Sequence, residues 1–151
     1  MTARQTRKRV PYTAEEMFDL VAEIERYPDF LPWCAALRIV SRQERKAQEI
    51  LLADMVVSYS VFRDQFRSRV TLAKPVMTID TDYVHGPFRE LKNHWRFSEN
   101  QDGGSVVEFK IEFEFRNPVL QATAHSVFEQ VFLRMADAFV ARAEEVYGRR
   151  G

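Results

Sequence analysis

The residues richest in chemistry lie on alternating faces of two segments in the middle of the chain. Between 62 and 72, Phe62, Asp64, Phe66, Ser68, Val70 and Leu72 share one side, while Arg63, Gln65, Arg67, Arg69 and Thr71 take the other. Between 91 and 98, Leu91, Asn93, Trp95 and Phe97 oppose Lys92, His94, Arg96 and Ser98. Each inward face mixes large aromatics with one or two polar groups. A carboxylate, hydroxyl or amide among aromatics costs free energy unless something satisfies it. Asp64, Ser68 and Asn93 therefore either bond to one another or to backbone near wet strand ends, or they meet the polar part of a bound molecule. The aromatics likewise form either a solid core or the lining of an apolar pocket.

Catalytic signatures are missing. No nucleophile elbow, phosphate-binding glycine loop, dinucleotide fingerprint or Cys/His nucleophile arrangement is present. His125 and Ser126 are adjacent, and adjacent residues on a helix face different ways. His85, His94 and His125 lie far apart and lack partners at zinc-like spacing. These residues support no enzyme, and no metal or required cofactor is expected.

The elements that must position these residues follow from periodicity. Ser105 to Phe115 alternates strictly, with Val107, Phe109, Ile111, Phe113 and Phe115 opposite Glu108, Lys110, Glu112 and Glu114, which reads as a half-buried strand. After Asn117-Pro118, the apolar positions Leu120, Ala124, Val127, Phe128, Val131, Met135, Ala138 and Phe139 recur at helical spacing through Tyr147. Such a helix is roughly 43 Å long, enough to cross a sheet. Upstream, Gln5–Val10 reads as a strand, and Thr13 with Glu16 makes a capping box opening a short helix over Ala14–Ala22. Pro28 and Pro32 bracket a compact turn with large apolar side chains, expected to exclude regular helix. Further strands are expected over 36–45, 47–58, 61–73, 76–84, 90–98 and 105–116, joined by short connections as in a meander. The class is α+β: about seven antiparallel strands and one long C-terminal helix.

With 151 residues, 46% of them hydrophobic, the chain fits a single domain spanning 1–151 with a real core. Lys plus Arg and Asp plus Glu both total 22, so no overall field steers it to DNA. Arg63, Arg67 and Arg69 still form a local basic stripe of the sort that RNA binding needs. Cys34 is alone, which excludes an internal disulfide. The basic start, Arg4, Arg7, Lys8 and Arg9, has no apolar stretch behind it and does not read as a secretory signal. A cytoplasmic protein, peripheral at most at the inner membrane, is expected.

Several motifs in combination resemble a known family. Tyr27-Pro28-x-Phe30-Leu31-Pro32-x-Cys34, then Gly86-Pro87-Phe88-Arg89-x-Leu91 with Trp95-x-Phe97, then Phe113-x-Phe115-x-Asn117, are similar to the START-like family that joins mitochondrial coenzyme Q-binding proteins to bacterial RatA proteins. The resemblance implies a helix-grip fold (START/Bet v 1-like), in which a bent sheet grips the last helix around a lipid-sized cavity. It also implies one of two functions. One branch carries ubiquinone for respiratory electron transfer; the other is a toxin that hinders ribosomal subunit association. Trp33 sides with the quinone branch, which tends to read Phe-Leu-Pro-Trp-Cys, and Gly86-Pro87-Phe88 sides with RatA.

The expected partners are thus a hydrophobic small molecule such as ubiquinone or another prenyl lipid, a transient membrane surface and, on the alternative reading, the ribosome. Trp33, Phe62, Phe66, Trp95, Phe97, Phe113, Phe128, Val131 and Met135 are the expected cavity lining, and Asp64, Ser68 and Asn93 its polar members. Phe30, Leu31, Pro87 and Phe88 are the expected mouth: exposed, they would also dip into a membrane interface, and otherwise they plug one end of the core.

Overall fold

The computed structural model describes residues 2–59 and 62–150, the side chains of residues 123–127 apart. The expected strand start at 61 and the helix positions Ala124 and Val127 lie outside what is described. Seven strands form one antiparallel sheet: β1 (Thr2–Val10), β2 (Cys34–Arg45), β3 (Gln48–Tyr59), β4 (Phe62–Ala73), β5 (Thr78–His85), β6 (Phe88–Glu99) and β7 (Ser105–Phe115). Their order across the sheet is β1-β7-β6-β5-β4-β3-β2. β2 to β7 are a meander, and β1 closes the far edge by pairing with β7. The helix α1 (Ala14–Ala22) follows β1, a single turn α2 (Tyr27–Phe30) precedes β2, and the long helix α3 (Pro118–Tyr147) ends the fold.

Local chemistry fixes the helix starts. Thr13 Oγ1 accepts from the Glu16 N–H at 3.1 Å while a Glu16 carboxylate oxygen accepts from the Thr13 N–H at 2.9 Å, completing the expected capping box. Asn117 Oδ1 accepts from the N–H groups of Val119 and Leu120, and Pro118 occupies the first turn, where its missing N–H costs nothing. The same tolerance corrects one expectation. Pro28 sits in the first turn of α2, so the segment forms one helical turn where no regular helix was expected.

Several strand starts also differ, β2 and β6 each opening two residues earlier than expected, at Cys34 and Phe88. β1 begins at Thr2, three residues before the expected Gln5, and β5 begins at Thr78 because Lys74–Val76 form a 3-10 turn that ends on Met77 in the left-handed region. The acidic face of β7 lies between two basic strands. Glu108 is opposite Arg7 on β1 and Arg96 on β6, and Glu112 is opposite Lys92. Such cross-strand pairs contribute roughly 0.2–1 kcal/mol each.

Inside the curve of the sheet lie two hydrophobic clusters. One gathers Trp95, Phe97, Phe109 and Phe139 with α1 and the end of β1; the other gathers Phe66, Phe88, Leu91, Phe113 and Phe115. Met55 and Ile111 pack against both. The space between the clusters is where the candidate site lies.

Candidate functional site

Strand register stacks inward-facing residues into rows across the sheet. One row runs Val70 on β4, Thr81 on β5, Asn93 on β6, Ile111 on β7 and Arg4 on β1, each directly opposite the next. The neighbouring rows supply Ser68, Leu91, Phe113 and Trp95. Helix α3 presents Phe128, Val131, Phe132 and Met135 to these rows. Between sheet and helix they leave a chamber of about 150 Å³ with an overwhelmingly apolar wall. That volume matches a cavity able to hold a benzene-sized ring.

The expected residues divide on placement. Trp33, Phe66, Trp95, Phe113, Phe128, Val131 and Met135 line the chamber, as do Ser68 and Asn93. Phe97 does not: it is buried beside Phe18, with ring centroids 5.8 Å apart, in the core beneath α1. Phe62 packs edge-on against Phe115 and Phe128, at the outer side of the second cluster. Asp64 shares their parity but lies at the end of β4, where it is exposed and accepts from the Gln65 N–H. Ionised carboxylates stay wet unless a partner is built for them.

The mouth is corrected more sharply. Leu31 and Phe88 line the chamber, but they are 3% and 1% exposed and present nothing to a membrane. Phe88 is the hub of the second cluster, stacked on Phe115 at 4.6 Å and edge-on to Phe66, Tyr83 and Phe113. Phe30 and Pro87 are half-buried and do not line the chamber. The Phe30 ring meets Tyr27 and Phe139 and is covered by the Arg142 guanidinium at 5.3 Å. Trp33 is likewise buried.

The polar rim lies elsewhere. Arg4 on β1 and Glu129 on α3 both line the chamber and bond to each other, Nε to Oε2, at 2.8 Å. Lys8 and Asp137 make a parallel bridge at 2.9 Å further along the same seam. Sequence reasoning missed Arg4, Glu129, Thr81, Tyr27, Leu37, Met55 and Phe132. The alternation Ile79, Thr81, Tyr83 is a signal that locates Thr81; nothing in the sequence announces that Arg4 meets Glu129.

The described titratable side chains on the wall are Arg4, Glu129 and Tyr27. The first two neutralise each other, and the Tyr27 hydroxyl donates to the Val21 carbonyl, with burial pushing its phenol well above the ordinary range. Cys34 lies buried nearby, its thiol pushed up to about 11 by that burial, which leaves it a poor nucleophile. Among the described residues the wall therefore carries no acid or base beyond the Arg4–Glu129 ion pair and the Tyr27 phenol. Among the described residues no group of three His, Cys, Asp or Glu side chains is placed to hold a metal ion. Nor is any helix long and apolar enough to cross a membrane.

The outer face of the sheet carries charges of alternating sign. Asp54 accepts from Arg67 at 2.7 Å and from Arg38 at 3.4 Å, and its carboxyl is held below the ordinary range chiefly by Arg67. Arg69 stands opposite Asp82. Part of the expected basic stripe is thus offset from a neighbouring strand, Arg67 by an Asp54 carboxylate that it shares with Arg38.

This architecture, a bent antiparallel sheet closed by a C-terminal helix around an apolar chamber, is the helix-grip fold of START-like and Bet v 1-like proteins. A family model described as polyketide cyclase / dehydrase and lipid transport matches residues 10–140, and the chain belongs to that family. Among its relatives, a ribosome association toxin RatA from Rickettsia prowazekii is 34% identical over 149 residues, covering 97% of this chain and 99% of that one. The mitochondrial coenzyme Q-binding protein COQ10 homolog B from Xenopus laevis is 26% identical over 143 residues, covering 92% of this chain and 57% of that one. The solution structure of the 18 kDa protein CC1736 from Caulobacter crescentus superposes with a TM-score of 0.83 at 32% identity, over 99% of this chain and 100% of that one.

Proposed function

We propose that the protein binds an apolar small molecule of the prenyl-quinone type, such as ubiquinone, in the chamber between sheet and α3, and that it performs no chemistry on it. The chamber carries this reading: a fold of this size closes its core with few voids larger than a water molecule, yet here about 150 Å³ stays open between two aromatic clusters. Burying hydrocarbon there is worth about 0.8 kcal/mol per CH2. The chamber holds a ring, not a long chain, so a prenyl tail must extend out of it or part the seam held by Arg4–Glu129. That the described wall carries no acid or base beyond this ion pair and the Tyr27 phenol supports binding over cyclase-like catalysis, and the quinone brings its own redox chemistry. Support of respiratory electron transfer, with passing contact at the inner-membrane surface, is the cellular role this reading implies.

The test is extraction. Protein purified from quinone-producing cells, extracted with organic solvent and examined by mass spectrometry, should release a prenyl quinone near one per chain. Recovery of none, together with no rise in Tm on adding a short-chain quinone, overturns the proposal.

A second reading, binding to ribosomal subunits so as to hinder their association, is favoured by the identity to RatA proteins, which exceeds that to the coenzyme Q-binding relative. The pairing of Arg67 with Asp54 weakens a purely electrostatic contact with RNA through that stripe. Co-sedimentation with ribosomal subunits that survives physiological salt would support this reading, and its absence would remove it.

A further inference from the structure

Within the chamber, Asn93 stands out. Its carboxamide oxygen is buried with no hydrogen-bond partner among the described residues, while the residue is only half-buried and lines the chamber wall. Ser105 Oγ is also unpaired, but Ser105 lies outside the chamber and is sealed completely. An orphaned amide oxygen is costly in a native interior. Directly across the β5–β6 ladder stands Thr81, which also lines the wall. The two lie one strand spacing apart, about 4.8 Å, between the aromatic cluster around Trp95 and that around Phe88.

We infer that Asn93 and Thr81 form a polar subsite that reads the oxygen substituents of a compact ring, and that it accepts the ring in both its carbonyl and its hydroxyl form. The reasoning is chemical. A carboxamide turned by half a revolution about its last bond presents two N–H donors in place of an oxygen acceptor, and a hydroxyl can donate or accept. Carbonyl oxygens of a quinone need donors; the O–H groups of the corresponding quinol need acceptors. The Asn93–Thr81 pair meets either demand without charge and without rebuilding the wall. A cationic or anionic anchor would favour one form. The volume fits: the aromatic walls accommodate a ring, and the orphaned oxygen lies in the row between them. This inference rests on the chamber being a ligand site.

The test uses the full chain, two variants and three probes: a ubiquinone bearing a single isoprenoid unit, its quinol under reducing anaerobic conditions, and an alkylbenzene lacking oxygen. Wild type should bind the first two within a few-fold of each other. Asn93→Leu should weaken both by about tenfold, the order of one lost hydrogen bond, and leave the alkylbenzene unchanged; Thr81→Val should act the same way, more weakly. The Tm of Asn93→Leu should hold or rise, because an unsatisfied polar atom is removed. Three results overturn the inference while sparing the chamber. These are equal loss for all three probes, a preference of wild type for one redox form by more than about thirtyfold, about 2 kcal/mol, or a clear fall in Tm marking Asn93 as structural. Failure of wild type to bind any of the three overturns the chamber reading itself.

Discussion

At the scale of single residues, the tightest demand falls on Gly86, in the corner between β5 and β6. Its φ is +147°, and a Cβ placed there would lie 2.6 Å from the Phe66 Cβ. The close approach lets Phe88, two residues on, turn inward and reach the Phe66 ring at 5.5 Å. Gly86→Ala therefore meets both a backbone region hostile to side chains, at about 1–3 kcal/mol, and an overpacked contact, at about 1–3 kcal/mol. Urea unfolding should show a loss of at least about 2 kcal/mol. Ligand uptake should fall too, since Phe66 and Phe88 are both chamber walls. A variant as stable as wild type would mean that the corner can relax at no cost.

At the scale of elements, much was legible in the sequence where a local signal exists. The capping box located α1 to the residue, and the alternation in β7 and the helical spacing after Asn117 gave the two elements that frame the chamber. What stayed hidden has physical reasons. The start of β1 carries Thr2, Arg4, Thr6 and Lys8 on its inner side, which reads as polar; their partners Glu129 and Asp137 lie more than a hundred residues away on α3. The single turn at Tyr27–Phe30 hides behind Pro28, which is a breaker except in a first turn. Residues expected at the mouth were placed by their apolar character alone, and apolar residues at turns can fold inward as readily as outward.

The link between α1 and the end of α3 gives a pH prediction at this same scale. Glu16 receives a two-pronged contact from Arg150, at 2.6 and 2.9 Å, and Tyr147 donates to its carbonyl. Chiefly through Arg150, and then through the Thr13 N–H, the Glu16 carboxyl is lowered from 4.5 to about 2. A depressed folded-state pKa contributes stability that is fully present above the unfolded value and disappears as pH falls towards the folded one. The window is thus from about 4.5 down to about 2. Glu16→Gln keeps an oxygen for the Thr13 N–H but removes the charge. With the side chain 24% exposed, screening limits the loss to about 1 kcal/mol at neutral pH. The variant should also show a shallower decline in Tm across that acid window than wild type; parallel declines would place the acid sensitivity elsewhere.

At the scale of the whole molecule, a protein of this length keeps a chamber that its own side chains do not fill, and that has a thermodynamic consequence. Walls around a void forgo the dispersion contacts a filled core provides, and missing core volume costs roughly 24 cal/mol per Å³ in the cases where it has been gauged. Native interiors hold few voids larger than a water molecule, so a chamber of this size calls for a use. The small residues Ala53 and Ser68, opposite each other on β3 and β4, help to hold the chamber open. Ala53 is 2% exposed and faces it, so Ala53→Leu directs added methylene and methyl groups into free space. If the chamber is kept for cargo, this variant should gain about 0.5–2 kcal/mol of stability while its quinone content on extraction drops towards zero. Stability and occupancy would then move in opposite directions, a pattern that a merely imperfect core does not produce. If the variant is instead destabilised and still retains its ligand, the open volume lies away from Ala53 and the molecule's cargo does not depend on this wall.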